Sequence, residues 1–272
     1  MRTLIANGTI VTADGSYQAD VLVDGETIVQ IGADLAAAGV TADETIDATG
    51  KYVIPGGIDA HTHMELPFGG TFAKDTFETG TRAAAFGGTT SIVDFAVQSK
   101  GQPLHEGLGV WHDKAAGNAV VDYGFHMIMS DVNDATLAEM DQLVEEGVPD
   151  FKLFTAYPGV FLSPDDHIFR AMQQTKKNGG MILMHAENGP VIDILAAEQV
   201  ASGMTDPLGH GLARDSRLEG EATNRMIRLA DIAGVPVYFV HLSAKEALHA
   251  VLDARERGVM AWAETCPQYL YL

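Results

Sequence analysis

Lys51-Tyr52-Val53-Ile54-Pro55-Gly56-Gly57-Ile58-Asp59-Ala60-His61-Thr62-His63 is the stretch that decides the fold. An apolar run is broken by Pro55-Gly56-Gly57, and a second extended run then delivers two histidines one residue apart. On a strand, positions i and i+2 face the same side. His61 and His63 therefore point together at the C-terminal end of a strand. Asp59 lies on that face two positions earlier, placed to orient one of the rings. Neutral imidazole is a common nitrogen ligand of zinc-like metals. Two surface histidines are the plain alternative for such a pair taken alone.

Downstream of this stretch, apolar β-rich segments alternate with helical ones. The strand candidates are Val53–His63, Thr89–Ala96, Val121–Met129, Phe151–Tyr157, Met181–Glu187, Val235–Ser243 and Val259–Cys266. Helix-like patches lie between them at Asp75–Ala85, Ala135–Glu146, Ile168–Lys177, Glu219–Ala233 and Ala244–Arg257. The repeat is about 30 residues, as in a βα barrel or a doubly wound sheet. Gly189–Arg217, rich in Gly, Asp and Pro, reads as a large loop after a strand, at what would be the catalytic face of a barrel. The predicted fold is α/β; a doubly wound sheet stays open at this point, and a (β/α)8 TIM-like barrel would stop after about seven strands.

Upstream, residues 1–52 read as a separate β module ahead of the barrel at 53–272. Asn7-Gly8 between Thr3–Ile5 and Thr9–Thr12 is a hairpin signal, and Asp14-Gly15 and Asp24-Gly25 mark further turns. The expectation is an antiparallel module, too small for a core of its own, that takes partner strands from elsewhere.

Composition narrows the function. The chain of 272 residues has 37 acidic and 17 basic side chains, a net charge of −20 that disfavours nucleic acid and anionic membranes as partners. With 46% hydrophobic and 20% charged residues it is globular rather than disordered. One cysteine precludes an intrachain disulfide and fits a reducing compartment. No secretory signal pattern opens the chain and no run of about 18 apolar residues occurs, so a cytoplasmic location is expected.

Two more histidines stand at strand ends. His185 follows the apolar Met181–Met184, and His241 follows Pro236–Val240. Either alone suits a core or rim position. Together with His61 and His63 they place four imidazoles at three strand C-termini, where a barrel brings them together. His105, His112, His167, His210 and His249 fall in loops or helices, and His126 inside a strand suits packing. Lys152 stands between large apolar neighbours in Phe151-Lys152-Leu153-Phe154. It is either a snorkelling lysine or a desolvated amine that loses its charge easily and can take up carbon dioxide as a carbamate. Tyr157 is a possible hydrogen-bond donor to an oxyanion, or an aromatic rim residue. Glu187 is open between orienting His185 and being a loop carboxylate. Cys266 suits buried packing. The glycine pairs match no phosphate-binding pattern.

The stretch Lys51–His63 resembles the opening signature of the cyclic amidohydrolases. The blocks Met64–Thr71, Phe86–Thr90, Phe151–Tyr157, Met184–Asn188 and His241–Ser243 are similar to the dihydropyrimidinase and D-hydantoinase branch. The resemblance runs from Leu4 to Leu272. It implies a barrel with a side β-sandwich built from both chain ends, and a homo-oligomer, tetramer or dimer. It also implies two divalent metal ions, usually zinc. His61 and His63 would bind the more buried metal, His185 and His241 the second, and Lys152 as a carbamate would bridge them. Tyr157 would polarise the substrate carbonyl, and Leu66 and Phe68 would line the pocket. A metal-bridging hydroxide would open the ring amide of small cyclic amides, dihydropyrimidines such as dihydrouracil or 5-substituted hydantoins, to N-carbamoyl amino acids.

Two departures accompany the resemblance. The family's catalytic Asp comes from an eighth strand that this sequence does not reach, so a fragment of a longer enzyme, or an inactive chain, is expected. Gln268 stands where the family often has His. Allantoinase shares the metal site and remains an alternative. Dihydroorotase is disfavoured, because Glu65 holds the place of its substrate-binding Arg. A non-enzymatic scaffold on the same fold would lack the metal ligands that are intact here.

Overall fold

The computed structural model describes residues 1–272. The chain forms two compact units, Met1–Ile58 with Gly88–Thr90, and Asp59–Gly87 with Ser91–Leu272.

The first unit holds β1 (Arg2–Thr12), β2 (Gly15–Asp24), β3 (Thr27–Gly32), β4 (Glu44–Asp47) and β5 (Tyr52–Val53) in one sheet. β1 pairs with β2 antiparallel but with β4 and β5 parallel, so the module is mixed rather than antiparallel. Asn7-Gly8 is not a hairpin turn. β1 runs straight through it with a register shift against β2, and Asn7 takes a left-handed φ of 63°. The buried Asp20 explains the bulge: its Oδ1 accepts the Asn7 N–H at 2.8 Å and its Oδ2 the Leu35 N–H at 2.8 Å. Gly8 is required there because a Cβ would stand 2.5 Å from Val53 Cγ2. The β1–β2 turn is at Ala13-Asp14.

Beyond β5 the order is β6 (Gly57–Thr62), the small hairpin β7 (Pro67–Phe68) and β8 (Thr71–Phe72), α1 (Phe77–Phe86), β9 (Thr89–Val97), α2 (Leu104–Ala115), β10 (Asp122–Ile128), α3 (Asp134–Glu145), β11 (Asp150–Phe154) and α4 (Asp165–Asn178). It continues with β12 (Met181–His185), α5 (Gly189–Ala201), α6 (Pro207–Ala213), α7 (Ser216–Ala233), β13 (Val237–Phe239), α8 (Lys245–Glu256), β14 (Ala261–Ala263) and α9 (Pro267–Tyr271). Local chemistry sets several of the helix ends. Thr76 and Asn133 close capping boxes with Thr79 and Thr136, and Gly179 and Gly234 end α4 and α7 in left-handed conformation. The region 189–217 is not a loop: it builds α5, α6 and the start of α7, with Asn188, Asp206 and Asp215 as N-caps. No helix is long and apolar enough to cross a membrane.

The seven-stranded sheet has the order β14-β13-β12-β11-β10-β9-β6. Each new strand lies beside the one before it, with no reversal of order. A doubly wound sheet must reverse at a switch point, so this is the winding of a barrel. The sheet is curled: the His61 side chain at the end of β6 and that of Glu264, just past β14, are hydrogen-bonded although they come from opposite ends of the strand order. It is a TIM-type barrel sheet of seven strands.

Side-chain parity separates two faces. Ile92, Met127, Phe151, Leu153, Ile182, Met184, Val237 and Phe239 join the large core that includes the helices. Phe95, Ile128, Phe154 and Leu183 point to the other face and form a second cluster with Phe161 and Val240. Strand register places Ile128 beside Lys152, Lys152 beside Leu183, and Leu183 beside Tyr238, as one inner layer. Phe154 and His185 are paired in the layer above.

Candidate active site

Parity along β6 carries His61 and His63 to the inner face, and β11, β12 and the residues after β13 bring Lys152, His185 and His241 to meet them. His61 Nε2 lies 3.2 Å from His63 Nε2. Lys152 Nζ lies 3.3 Å from His61 Nε2, and His185 Nδ1 lies 2.9 Å from His241 Nε2. The two pairs adjoin, with His61 and His241 ring centroids 5.5 Å apart. Tyr157 follows β11, its ring centroid 5.1 Å from that of His185.

Burial tunes this cluster. It drops the His63 imidazole from 6.5 to about 2, with the Lys152 charge adding to the effect. Burial likewise drops His241 to about 2, and it lowers His61 and His185 against the opposing pull of their carboxylate partners. The rings are neutral at pH 7 and their lone pairs are available. Burial also brings the Lys152 amine from 10.5 to about 7, despite the charges of Glu264 and Cys266, so a large share of it is uncharged and nucleophilic. Burial raises the Tyr157 hydroxyl, which stays a donor.

Two carboxylates hold the rings. Glu264 accepts from His61 Nδ1–H, and its other oxygen accepts the Tyr238 hydroxyl at 3.0 Å. Glu187 accepts from His185 Nε2–H at 2.8 Å. Arg214 Nη1 in turn donates to both Glu187 oxygens, at 2.8 and 2.6 Å. Burial would raise the Glu187 carboxyl, but hydrogen bonds from His185 and Arg214 win and hold it at about 2. Asp59 is placed differently from its expected role. Its Oδ1 accepts the backbone N–H of His61 at 3.1 Å, and the carboxylate on the ring is Glu264. The short Asp59 side chain closes on the main chain two residues ahead before it can reach a ring.

A third carboxylate fixes the backbone of the histidine segment. Asp94 on β9 is fully buried. Its Oδ2 accepts from Thr62 Oγ1 at 2.8 Å and Met64 N–H at 2.7 Å, and its Oδ1 from Trp111 Nε1 at 2.8 Å and Phe95 N–H at 2.9 Å. The backbone is strained where the site needs it. Tyr157 and His241 both take positive φ, 61° and 41°. For residues with a Cβ such conformations cost on the order of 1–3 kcal/mol and persist only where the surroundings impose them. At Tyr157 the surroundings include Gly189, whose absent Cβ would stand 2.6 Å from Ala156 Cα. Thr155 ties the ends of β11 and β12 together, its hydroxyl donating to the Glu187 carbonyl at 2.7 Å and accepting the Glu187 N–H at 3.0 Å.

A cavity of about 480 Å³ opens above this cluster. Leu66, Phe68, Phe154 and Phe161 form an apolar wall, and His63, Lys152, His185 and His241 line its polar end beside Tyr157. Phe68 meets Tyr157 edge to face at 5.1 Å. His210 and Arg214 lie at the rim, Arg214 Nε donating to His210 Nε2 at 3.0 Å. His126 packs on Phe95 and contacts the Ala60 carbonyl at 3.0 Å, away from the cavity. Cys266, at the N-cap position of α9, is half-buried rather than part of the buried packing, and its thiol is raised by what burial it has.

The donor set fits divalent metal. Two nitrogens each about 2.0–2.1 Å from a tetrahedral zinc ion stand roughly 3.3 Å apart, close to the spacing within both histidine pairs. A buried nitrogen, His63 Nδ1, has no hydrogen-bond partner. No three His, Cys, Asp or Glu side chains form a metal cage by themselves. Lys152 Nζ stands against His61 and would add an oxygen donor to the set if carboxylated.

Glu264, Asp94 and Arg214 were not anticipated from sequence. Asp94 had a signal, a lone carboxylate in the apolar Ser91–Val97 run, and Glu264 had the inner parity of the seventh strand. Arg214 had none, because its segment reads as loop.

Comparison with known proteins gives a consistent picture. The amidohydrolase family profile matches residues 52–259. The chain is 59% identical over 273 residues to a D-hydantoinase of Streptomyces coelicolor and 49% identical to one of Geobacillus stearothermophilus, covering all of this chain and 58% and 57% of those proteins. The crystal structure of a dihydropyrimidinase from Brevibacillus agri superposes with a TM-score of 0.97 at 50% identity, over 100% of this chain and 59% of that one. The chain thus spans less than two thirds of the length of the relatives it matches.

Proposed function

The chain belongs to the amidohydrolase family, and on that premise we propose that the complete protein opens the ring amide of 5-substituted hydantoins, and of dihydropyrimidines, to N-carbamoyl amino acids. One observation carries this: three neutral imidazoles, His63, His185 and His241, and a half-neutral lysine form the polar end of a cavity that also has an apolar, mainly aromatic wall. A compact ring with two carbonyls and one apolar substituent suits that division. The similar D-hydantoinases favour substrates of D configuration for this protein too.

In this reading His61 and His63 would hold one divalent metal ion, zinc by donor type, and His185 and His241 would hold a second. The Lys152 amine would add to carbon dioxide with loss of one proton, and the carbamate would supply oxygen donors to the metals. When bound, the metals lower the pKa of water and polarise the carbonyl, so that a hydroxide nucleophile is available at neutral pH. The residues of this chain do the rest. Glu264 keeps His61 and Glu187 keeps His185 in one tautomer, with the ligating nitrogen free. Tyr157 donates its hydroxyl hydrogen to the carbonyl oxygen as negative charge grows there. Leu66, Phe68, Phe154 and Phe161 take the ring substituent and exclude water. Glu187 and Glu264 are both occupied by imidazoles and by Arg214 or Tyr238, so neither is free to carry the proton to the leaving nitrogen. That proton carrier is assigned to the part of the protein outside these residues. The single cysteine supports a reducing, cytoplasmic setting.

The test is made on the complete protein loaded with zinc in bicarbonate buffer. Ring opening of D-5-phenylhydantoin and dihydrouracil, with about two zinc ions per subunit and a carbamate carbon visible by 13C labelling, is the expected result. A folded protein that carries two zinc ions and opens neither ring refutes it.

A further inference from the structure

The helical insertion between β12 and β13 places Arg214 against Glu187, the carboxylate that holds His185. Arg214, the C-cap of α6, places Nη1 within 2.8 and 2.6 Å of the two oxygens of Glu187. The same Glu187 Oε2 is 2.8 Å from His185 Nε2, and His185 Nδ1 faces His241 Nε2 at 2.9 Å. All three side chains of this chain are largely withdrawn from solvent, at 24% exposure for Arg214, 19% for Glu187 and 9% for His185.

We propose that Arg214 is a positioning residue for the His185–His241 half-site, acting through Glu187. A carboxylate hydrogen-bonded only to a ring N–H can rotate about its own side chain. Once both oxygens are held by a guanidinium, the carboxylate plane is set and so is the ring that donates to it. His185 is then confined to the tautomer with hydrogen on Nε2, which leaves the Nδ1 lone pair directed at the point His241 shares. Glu264 has no guanidinium bonded to it: its second oxygen is taken by the neutral Tyr238 hydroxyl, and Lys152 acts on it only through space. The insertion therefore controls one half of the cluster and not the other. A single nitrogen touches both Glu187 oxygens, a geometry that an ammonium can reproduce, so lysine is the conservative replacement.

This inference rests on the reading that His185 and His241 hold a metal, and the experiment separates the two ideas. Complete protein is compared with its E187Q, R214M, R214K and E187Q/R214M variants. R217M serves as control, since Arg217 pairs with Asp215 on the surface. In metal-free protein, 15N-histidine spectra are expected to show one Nε2–H tautomer for His185 in wild type, R217M and R214K. E187Q and R214M should show a mixture. In zinc titrations against a chelator, E187Q and R214M should weaken the second equivalent about 10–100-fold and leave the first unchanged. R214K should recover most of the loss, and the double variant should be no weaker than E187Q. An R214M protein with a single His185 tautomer and wild-type zinc affinity overturns the proposal, as does an effect of R214M that E187Q lacks. If wild type takes up no zinc, the metal reading fails, while the tautomer spectra still decide the role of Arg214.

Discussion

Lys152 Nζ lies 3.3 Å from Nε2 of His61, a residue 91 positions earlier in the chain. The contact places an amine on an imidazole lone pair, between the aromatic faces of Phe95 and Phe154 at 4.2 and 5.3 Å. An ammonium is poorly solvated there. The folded amine has a pKa near 7 against 10.5 for the ordinary side chain. The folded state therefore binds fewer protons than the unfolded state between those values, and stability rises with pH across that window. Metal-free protein in buffer stripped of carbon dioxide should gain stability from pH 7 to pH 9 relative to K152M, read from urea midpoints. Equal pH dependence of the two proteins would contradict a buried, titrating Lys152. The K152M variant of the complete protein should also lose most of its zinc.

Acid should act through the imidazoles. His63 and His241 fall to about 2 in the folded chain, from 6.5. Their contribution is fully present above pH 6.5 and is lost as pH falls from there towards about 2, because only the unfolded state takes up the protons. Each imidazole contributes a slope on the order of 1.4 kcal/mol per pH unit within that window. Between pH 6 and pH 4.5, metal-free wild type should lose stability more steeply than the H63N/H241N variant. Denaturant melts at both values measure the difference in slope.

Asp94 supports a sharper expectation. Its two oxygens accept four hydrogen bonds in a fully buried position. An amide there would turn one acceptor into a donor facing two donors. D94N should destabilise the fold by roughly 2–4 kcal/mol, the scale for buried polar groups left without partners. It should also loosen the Thr62–Met64 segment and reduce zinc binding at His61 and His63. A urea midpoint within error of wild type would show that the network is dispensable.

In the proposed reaction Tyr157 donates to the developing charge, so its loss should appear in turnover. Y157F of the complete protein should lower kcat about 100- to 1000-fold on a hydantoin, with little change in KM. Steady-state kinetics with matched zinc content checks this. A change confined to KM would make the residue a ground-state contact.

Most of the fold and much of the site were legible in the chain. The strand periodicity marked the barrel units, and the His61-Thr62-His63 spacing marked a shared face. His185, His241 and Lys152 were visible as lone polar residues in or after apolar strands, because a strand with one polar interruption declares which face that residue takes. The insertion was misread. Val191, Ile192, Ile194, Leu195 and Val200 spread around α5 rather than along one stripe, so no helical period stands out. Asn7-Gly8 was misread as well, since its turn chemistry served a bulge held by Asp20. Arg214 was hidden with the insertion that carries it.

Parity is local: two residues per repeat along a strand, and the sequence by itself determined which side chains share the inner face. Convergence is not local. The curl of the sheet brings His61 to Glu264 and Lys152 to His61, and the aromatic packing around them removes water. Desolvation then makes the imidazoles neutral and the amine half neutral, which no residue list contains. The left-handed backbones of Tyr157 and His241 belong to the same class, because only surrounding contacts hold such conformations against their strain. The identities of the reactive groups are therefore a property of the chain, while their proton states and aim are properties of the enclosed end of the barrel.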